Sequence, residues 1–180
     1  MNLVERLKGI LLSPKAEWPK IAAEPMSVQQ IYTGWVMILG AIGPLAVLVA
    51  TGSVALAIGQ YLMMLVVTAL VALVVDLLAP SFGGRKGYED SLKLAAFSYT
   101  AAYVGGIFAL LGAIGGFLSL AAAVYAWYTF YLGAPVLGKC AAGKAVPFTI
   151  VVVLAGMAIG FLFALVIGGA GLGPQIAAPG

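Results

Sequence analysis

Three stretches of this sequence contain no Asp, Glu, Lys or Arg: Pro25 to Val75, Leu94 to Gly138, and Ala145 to Gly180. A bilayer core about 30 Å thick is crossed by about 20 consecutive apolar helical residues. The stretches are long enough for two, two and one crossings. They predict an all-α polytopic membrane protein, a five-helix transmembrane bundle with almost no extramembrane domain. A soluble helical core fails on charge, because only 8% of the residues are charged, against about 25% in an average soluble domain.

Turn chemistry places the spans at about 30–51, 54–79, 94–112, 116–137 and 145–168. Thr51-Gly52-Ser53 and Gly112 to Gly116 read as tight turns, Ala79 to Gly87 as a Pro/Gly-rich loop, and Gly138 to Lys144 as a short polar one. Residues 169–180 read as a flexible tail. Ahead of the first span, residues 1–29 form an interfacial segment. Leu3, Val4, Leu7, Ile10 and Leu11 recur at helical spacing, with Asn2, Glu5, Arg6 and Lys8 on the other side. A helix of this kind lies among lipid headgroups, and Pro14 ends it. Too short an apolar run, interrupted by charge, argues against a cleaved signal and for mature sequence.

The nine basic residues give orientation. With five crossings, Arg6, Lys8, Lys15, Lys20, Arg85, Lys86, Lys93, Lys139 and Lys144 all fall on the side of the N-terminus. The positive-inside rule puts that side in the cytoplasm and the C-terminus outside, consistent with a bacterial cytoplasmic (inner) membrane. The same distribution accounts for the basic pI without nucleic acid as a partner. Arg6, Lys8, Trp18, Arg85 and Lys86 are the candidate contacts to the membrane surface and anionic lipid. The aromatics Tyr32, Trp35, Phe97, Tyr99, Tyr103, Trp127, Tyr128, Tyr131 and Phe148 fall toward the same ends and read as an interfacial belt.

Helices in lipid associate by close backbone approach at small residues. Ala101, Gly105 and Ala109 form one such stripe, and Gly156, Gly160 and Ala164 another. They are candidates for packing within the bundle, with self-association as the other use. Chemistry is sparse. Asp76 is the single charge inside a predicted span, and an interfacial pair with Arg85 or Lys86 is its simplest role. Gln60 is the other strongly polar residue in a span. Together with Ser98 and Thr100 these two would be the ingredients of a polar path, the basis of a transporter or channel alternative. There is no histidine and one cysteine, Cys140. No protease, hydrolase, P-loop or dinucleotide motif occurs, so no enzyme, cofactor or metal site is expected.

Several segments are similar to a known family. Leu11-Leu12-Ser13-Pro14-Lys15-Ala16-Glu17-Trp18-Pro19-Lys20-Ile21 resembles the entry segment of prokaryotic members of the Yip (Ypt-interacting protein) family. So do Phe82-Gly83-Gly84-Arg85-Lys86-Gly87-Tyr88 followed by Leu94 to Thr100, Val124-Tyr125-Ala126-Trp127-Tyr128 with Gly133, and Lys144-Ala145. Relatives often carry proline where Ala101 stands, which puts a kink there in question. The resemblance implies five spans with the N-terminus inside. About function it implies little, since the Rab-type GTPase association of eukaryotic relatives uses a longer N-terminal region than this one; the missing motifs, the N-terminal helix and the small-residue stripes point instead to a non-enzymatic protein that organises membrane lipids or protein partners.

Overall fold

The computed structural model describes residues 2–169, and the residues described are almost entirely helical. Helix α1 (Leu3–Leu12) is capped by the Asn2 side chain, which accepts from the Val4 amide at 3.2 Å. Pro14 then opens α2 (Pro14–Ala23), where its missing N–H costs nothing. A Ser27–Gln30 capping box starts the composite helix α3 (Val28–Thr51). Two irregularities bend α3. One is a π-turn at Tyr32–Val36; the other follows from Pro44, which leaves the Gly40 carbonyl without its usual donor, so the helix is interrupted at Ala41. Beyond the left-handed turn at Gly52 comes α4 (Val54–Leu78), which tightens into a 3-10 turn at Ala79–Phe82 around Pro80. Next come α5 (Tyr88–Ser98), α6 (Thr100–Gly105) with a 3-10 continuation at Gly106–Leu111, α7 (Gly112–Val136) and α8 (Ala145–Gly169).

Four helical runs are long and apolar enough to cross a membrane: Val28–Thr51, Val54–Phe82, Tyr88–Val136 and Ala142–Phe163. The sequence predicts five, and the difference lies in the third run of 49 residues. No loop interrupts it at 112–116, because α7 starts at Gly112 itself. Gly112 has φ +57° and ψ −131°, a conformation that needs glycine, and there the chain doubles back. The Ser119 hydroxyl donates to the Gly105 carbonyl at 3.5 Å, whereas 14 residues of straight helix would separate them by about 21 Å. The run is therefore a helical hairpin. Its first arm is interrupted again at Tyr99, between α5 and α6, even though Ala101 stands where relatives carry proline. The predicted tail begins at the end of α8, and residues 170–180 lie outside those described.

The packing is inside-out. Large apolar side chains such as Leu62, Phe117, Leu154 and Phe161 point outward and are more than half exposed, as a hydrocarbon solvent allows and water does not. The core gathers where the charges are. Trp18, Trp35, Phe97 and Phe148 are almost fully buried there, with Trp35 and Phe97 rings 4.9 Å apart. Trp35, Phe97, Tyr103 and Phe148 thus belong to the core and not to an interfacial belt, while Tyr128 and Tyr131 remain exposed. They turn inward because they pack on rings of neighbouring elements: Trp35 on Phe97, Phe148 on Phe82 and Phe130, and Tyr103 on Tyr99.

Close approach occurs at fewer of the small residues than expected. A Cβ on Gly105 would meet Ala122 at 2.6 Å, and one on Gly106 would meet the Gly43 backbone at 2.6 Å. On α8, Gly156 touches Tyr99 and Val71, but a Cβ on Gly160 would meet nothing within 4 Å. Ala109 is exposed, and the surroundings of Ala164 lie outside the described residues. Among the described residues, only the start of each stripe is an interface. Gly106→Ala should therefore lower stability by about 1–3 kcal/mol through overpacking against backbone that cannot yield. Gly160→Leu should leave thermal unfolding in detergent unchanged; a drop with Gly160→Leu as large as with Gly106→Ala would contradict this packing.

Candidate functional site

All nine basic and all six acidic side chains lie in α1, α2, the Glu24 connector that follows it, the last turn of α4, α5 and the two long loops, and their contacts join these segments into one end of the bundle. Two networks organise that end. The first is a clasp between the loops that follow α4 and α7. The Arg85 amide donates to the Gly138 carbonyl at 2.9 Å and the Ala141 amide to Phe82 at 3.0 Å, with Gly83 and Cys140 paired as a short antiparallel bridge. A side chain at Gly84 would collide with the Lys139 backbone, so glycine is what lets the loops touch.

Lys139 fastens the clasp from beneath. It is fully buried, and its ammonium donates to the carbonyls of Gly87 (2.8 Å) and Arg85 (3.1 Å), with Asp76 Oδ1 at 3.8 Å. Asp76 in turn accepts from the Gly87 amide at 2.6 Å and the Ser91 hydroxyl at 3.0 Å. Burial holds the Lys139 ammonium below the ordinary lysine value, opposed by Asp90 and Asp76 and reinforced by Arg85. The expected Asp76 pair with Arg85 or Lys86 is therefore replaced by one with Lys139, because Pro80 and the 3-10 turn carry Arg85 and Lys86 out to the exposed edge. Cys140, beside Lys139, is buried and its thiol is pushed up by burial, which is the opposite of activation.

The second network seals the N-terminal segment onto the bundle. The Arg6 guanidinium donates to Glu17 at 2.9 Å and also pairs with Glu24; Lys20 pairs with Glu17 at 2.9 Å. From α5, Lys93 donates to the Glu24 carbonyl at 2.7 Å. On the other side the Trp18 indole donates to the Thr129 carbonyl at 3.0 Å, and the Tyr125 hydroxyl to the Leu11 carbonyl at 2.8 Å. Gly133 leaves the room that the Trp18 ring occupies. Arg6 and Trp18 thus face the protein, not headgroups; Lys8, Arg85 and Lys86 are the predicted surface residues that remain exposed. The physical reason is reciprocal. Once α2 folds under α1, Arg6 finds two carboxylates closer than any phosphate, and paired charges are the ones that tolerate burial.

A polar path is not assembled. Gln60 lies near one end of α4 and Asp76 near the other, about 24 Å apart at 1.5 Å per residue. Thr100 is occupied, accepting from the Trp35 indole at 3.1 Å and donating to the Phe97 carbonyl at 2.6 Å. Ser98 is buried with its hydroxyl unpartnered. Among the described residues no group of three or more His, Cys, Asp or Glu is placed to hold a metal ion. The sequence reading missed Lys139, Lys93 and Glu24 as organisers. Lys139 stands beside Gly138 in a loop already marked as polar, and a single lysine flanked by apolar residues was the available signal.

Removing the Asp76 carboxylate leaves Lys139 buried without its counter-charge. Asp76→Ala should cost about 3–5 kcal/mol in detergent unfolding and expose the Arg85-Lys86 loop to tryptic cleavage. A cost for Asp76→Ala/Lys139→Met equal to the sum of the costs of Asp76→Ala and Lys139→Met alone would show that the two residues are not coupled.

A family model, the Yip1 domain, matches residues 8–167. No curated protein and no solved structure matches the chain.

Proposed function

The chain belongs to the Yip1 domain family, and we propose that this multi-pass membrane protein is a non-enzymatic scaffold that organises lipids or partner proteins at one membrane face. One observation carries the reading. The charged end is a closed and internally paired platform, and it leaves Lys8, Lys15, Lys20, Arg85, Lys86 and Lys144 exposed around its rim. Basic groups held at a headgroup surface attract anionic lipid at about 1 kcal/mol each. Apart from Lys20, none of these six lysines and arginines makes an ion pair among the described residues. The interior, by contrast, spends its polar side chains on holding helices together.

In this reading the hairpin at Gly112 supplies two crossings, and the four apolar runs become five spans. All basic residues then face the cytoplasm of a bacterial cell, and the C-terminus lies outside, with the platform on the inner face of the cytoplasmic membrane. Exposed Lys residues at the rim meet the anionic leaflet there. Eukaryotic GTPase association does not transfer to this chain by fold alone.

Alkaline phosphatase fused after Gly180 should be active and a GFP fusion there dark; the reverse pair would overturn the five-span orientation. For the function, the protein purified in mild detergent should retain lipid or protein companions at defined stoichiometry by native mass spectrometry. Bare protein together with solute flux in liposomes would instead favour a channel.

A further inference from the structure

Where α1 turns into α2, two recesses share one wall. The first, about 430 Å³, is polar at its rim and lined by Ser13, Lys15 and Tyr128. The second, about 380 Å³, is almost wholly apolar and runs between α6 and α7 past Leu11, Phe108, Leu118 and Ala121. Tyr125 lines both, and its hydroxyl is fixed by the Leu11 carbonyl at 2.8 Å, so the wall between them is rigid. Tyr128 lies about 24 Å along α7 from the Gly112 turn at 1.5 Å per residue, and Leu118 about 9 Å. The polar recess therefore sits toward the charged end of the bundle, near where a 30 Å hydrocarbon layer would finish. The apolar one reaches from there to about mid-bilayer.

That stacking matches one kind of molecule. We propose that the two recesses are a single site for an anionic glycerophospholipid of the leaflet on the charged side, with phosphate at Lys15 and one acyl chain along the α6–α7 groove. The proposal rests on the scaffold reading above and names the ligand class for it. Charge complementarity selects the headgroup. Lys15 is exposed and makes no ion pair among the described residues, and no acidic residue lines the polar recess. Glu17, the nearest carboxylate in sequence, is turned away and held by Arg6 and Lys20. Ser13 precedes α2 without making a side-chain cap bond, which leaves its hydroxyl for a phosphate oxygen. Shape selects the tail. Ala121, Ala122 and Gly105 line the groove with small residues, which leave room for a hydrocarbon chain to lie along it. Leu12, 79% exposed at the mouth, would lie against the second chain.

The test uses full-length protein in nanodiscs of equal phosphatidylglycerol and phosphatidylethanolamine, released into native mass spectrometry. Wild type should retain one phosphatidylglycerol in preference. Lys15→Glu should reduce that retention about tenfold or more, the loss of a charge-assisted contact, and Ala121→Phe should reduce it by filling the groove. Both positions are exposed, so unchanged thermal unfolding should accompany the loss. Lys144→Glu, the same charge change elsewhere on the rim, should reduce it several-fold less than Lys15→Glu does, since it removes only general attraction to the anionic surface; an equal loss would refute the site. Soluble glycerophosphoglycerol should not displace the lipid; displacement would mean an anion site without a role for the groove, and would overturn the proposal. Retention by wild type that is indifferent to Lys15→Glu or to Ala121→Phe would refute this site and leave the scaffold reading standing. A wild type that holds no lipid and no protein companion would remove both.

Discussion

Hydrocarbon offers no partner to an unpaired N–H, C=O or charge, and the whole arrangement follows from where this chain meets that demand. Within the spans the demand is met locally. Thr51, Thr68, Thr129 and Thr149 each donate to the carbonyl four residues earlier, so their hydroxyls need nothing from a neighbour. Where the helix ladder is broken, a side chain steps in from another helix. The Tyr61 hydroxyl, for example, reaches the Met37 carbonyl at 3.1 Å, just before the break at Ala41. The charges are handled differently. They are collected at one end, and the buried ones, Arg6, Glu17, Lys93 and Lys139, are paired with other charges and with backbone carbonyls, which turns a costly set of groups into the joint that fixes helix order.

That joint also explains the shape of the core. A membrane bundle gains little from burying apolar side chains against one another, since lipid is as apolar as leucine. At the charged end this changes, because water and headgroups begin there and the aromatics gain by packing on one another, with Trp18 entering from α2. Trp18, Trp35, Phe97 and Phe148 then pack as they would in a soluble protein. The opposite end relies on backbone contact instead, as at Gly43 and Gly106.

Helical class, membrane character and the position of every charge were legible in the sequence, because charge-free length is a one-dimensional property. The family was legible for a related reason: Pro14, Trp18, Gly84 and Tyr125 are each required by a particular contact and so leave a local pattern. What the sequence hid was partnership. Asp76 has three basic residues within reach of its loop, and only the pairing of the two loops decides that it meets Lys139. Arg6 and Trp18 look interfacial from composition, and the fold of α2 under α1 makes them internal. The stripe on α8 shows the same limit, since spacing alone does not say whether Gly160 faces protein or lipid.

The N-terminal segment is the element whose role changes most once these contacts are seen. A short amphipathic helix ahead of the first span would ordinarily detach and reattach with lipid composition. Here it is tied at Leu11 and Trp18 to α7, and through Arg6 and Glu24 to α5. Detaching it would strand the Trp18 indole, the Tyr125 hydroxyl and the Lys93 ammonium at once, and buried donors left without partners each carry a penalty of about 1–3 kcal/mol. The segment is accordingly part of the bundle. Whatever binds at the charged end meets a preformed surface of α1, α2 and two clasped loops, and its recognition costs little ordering.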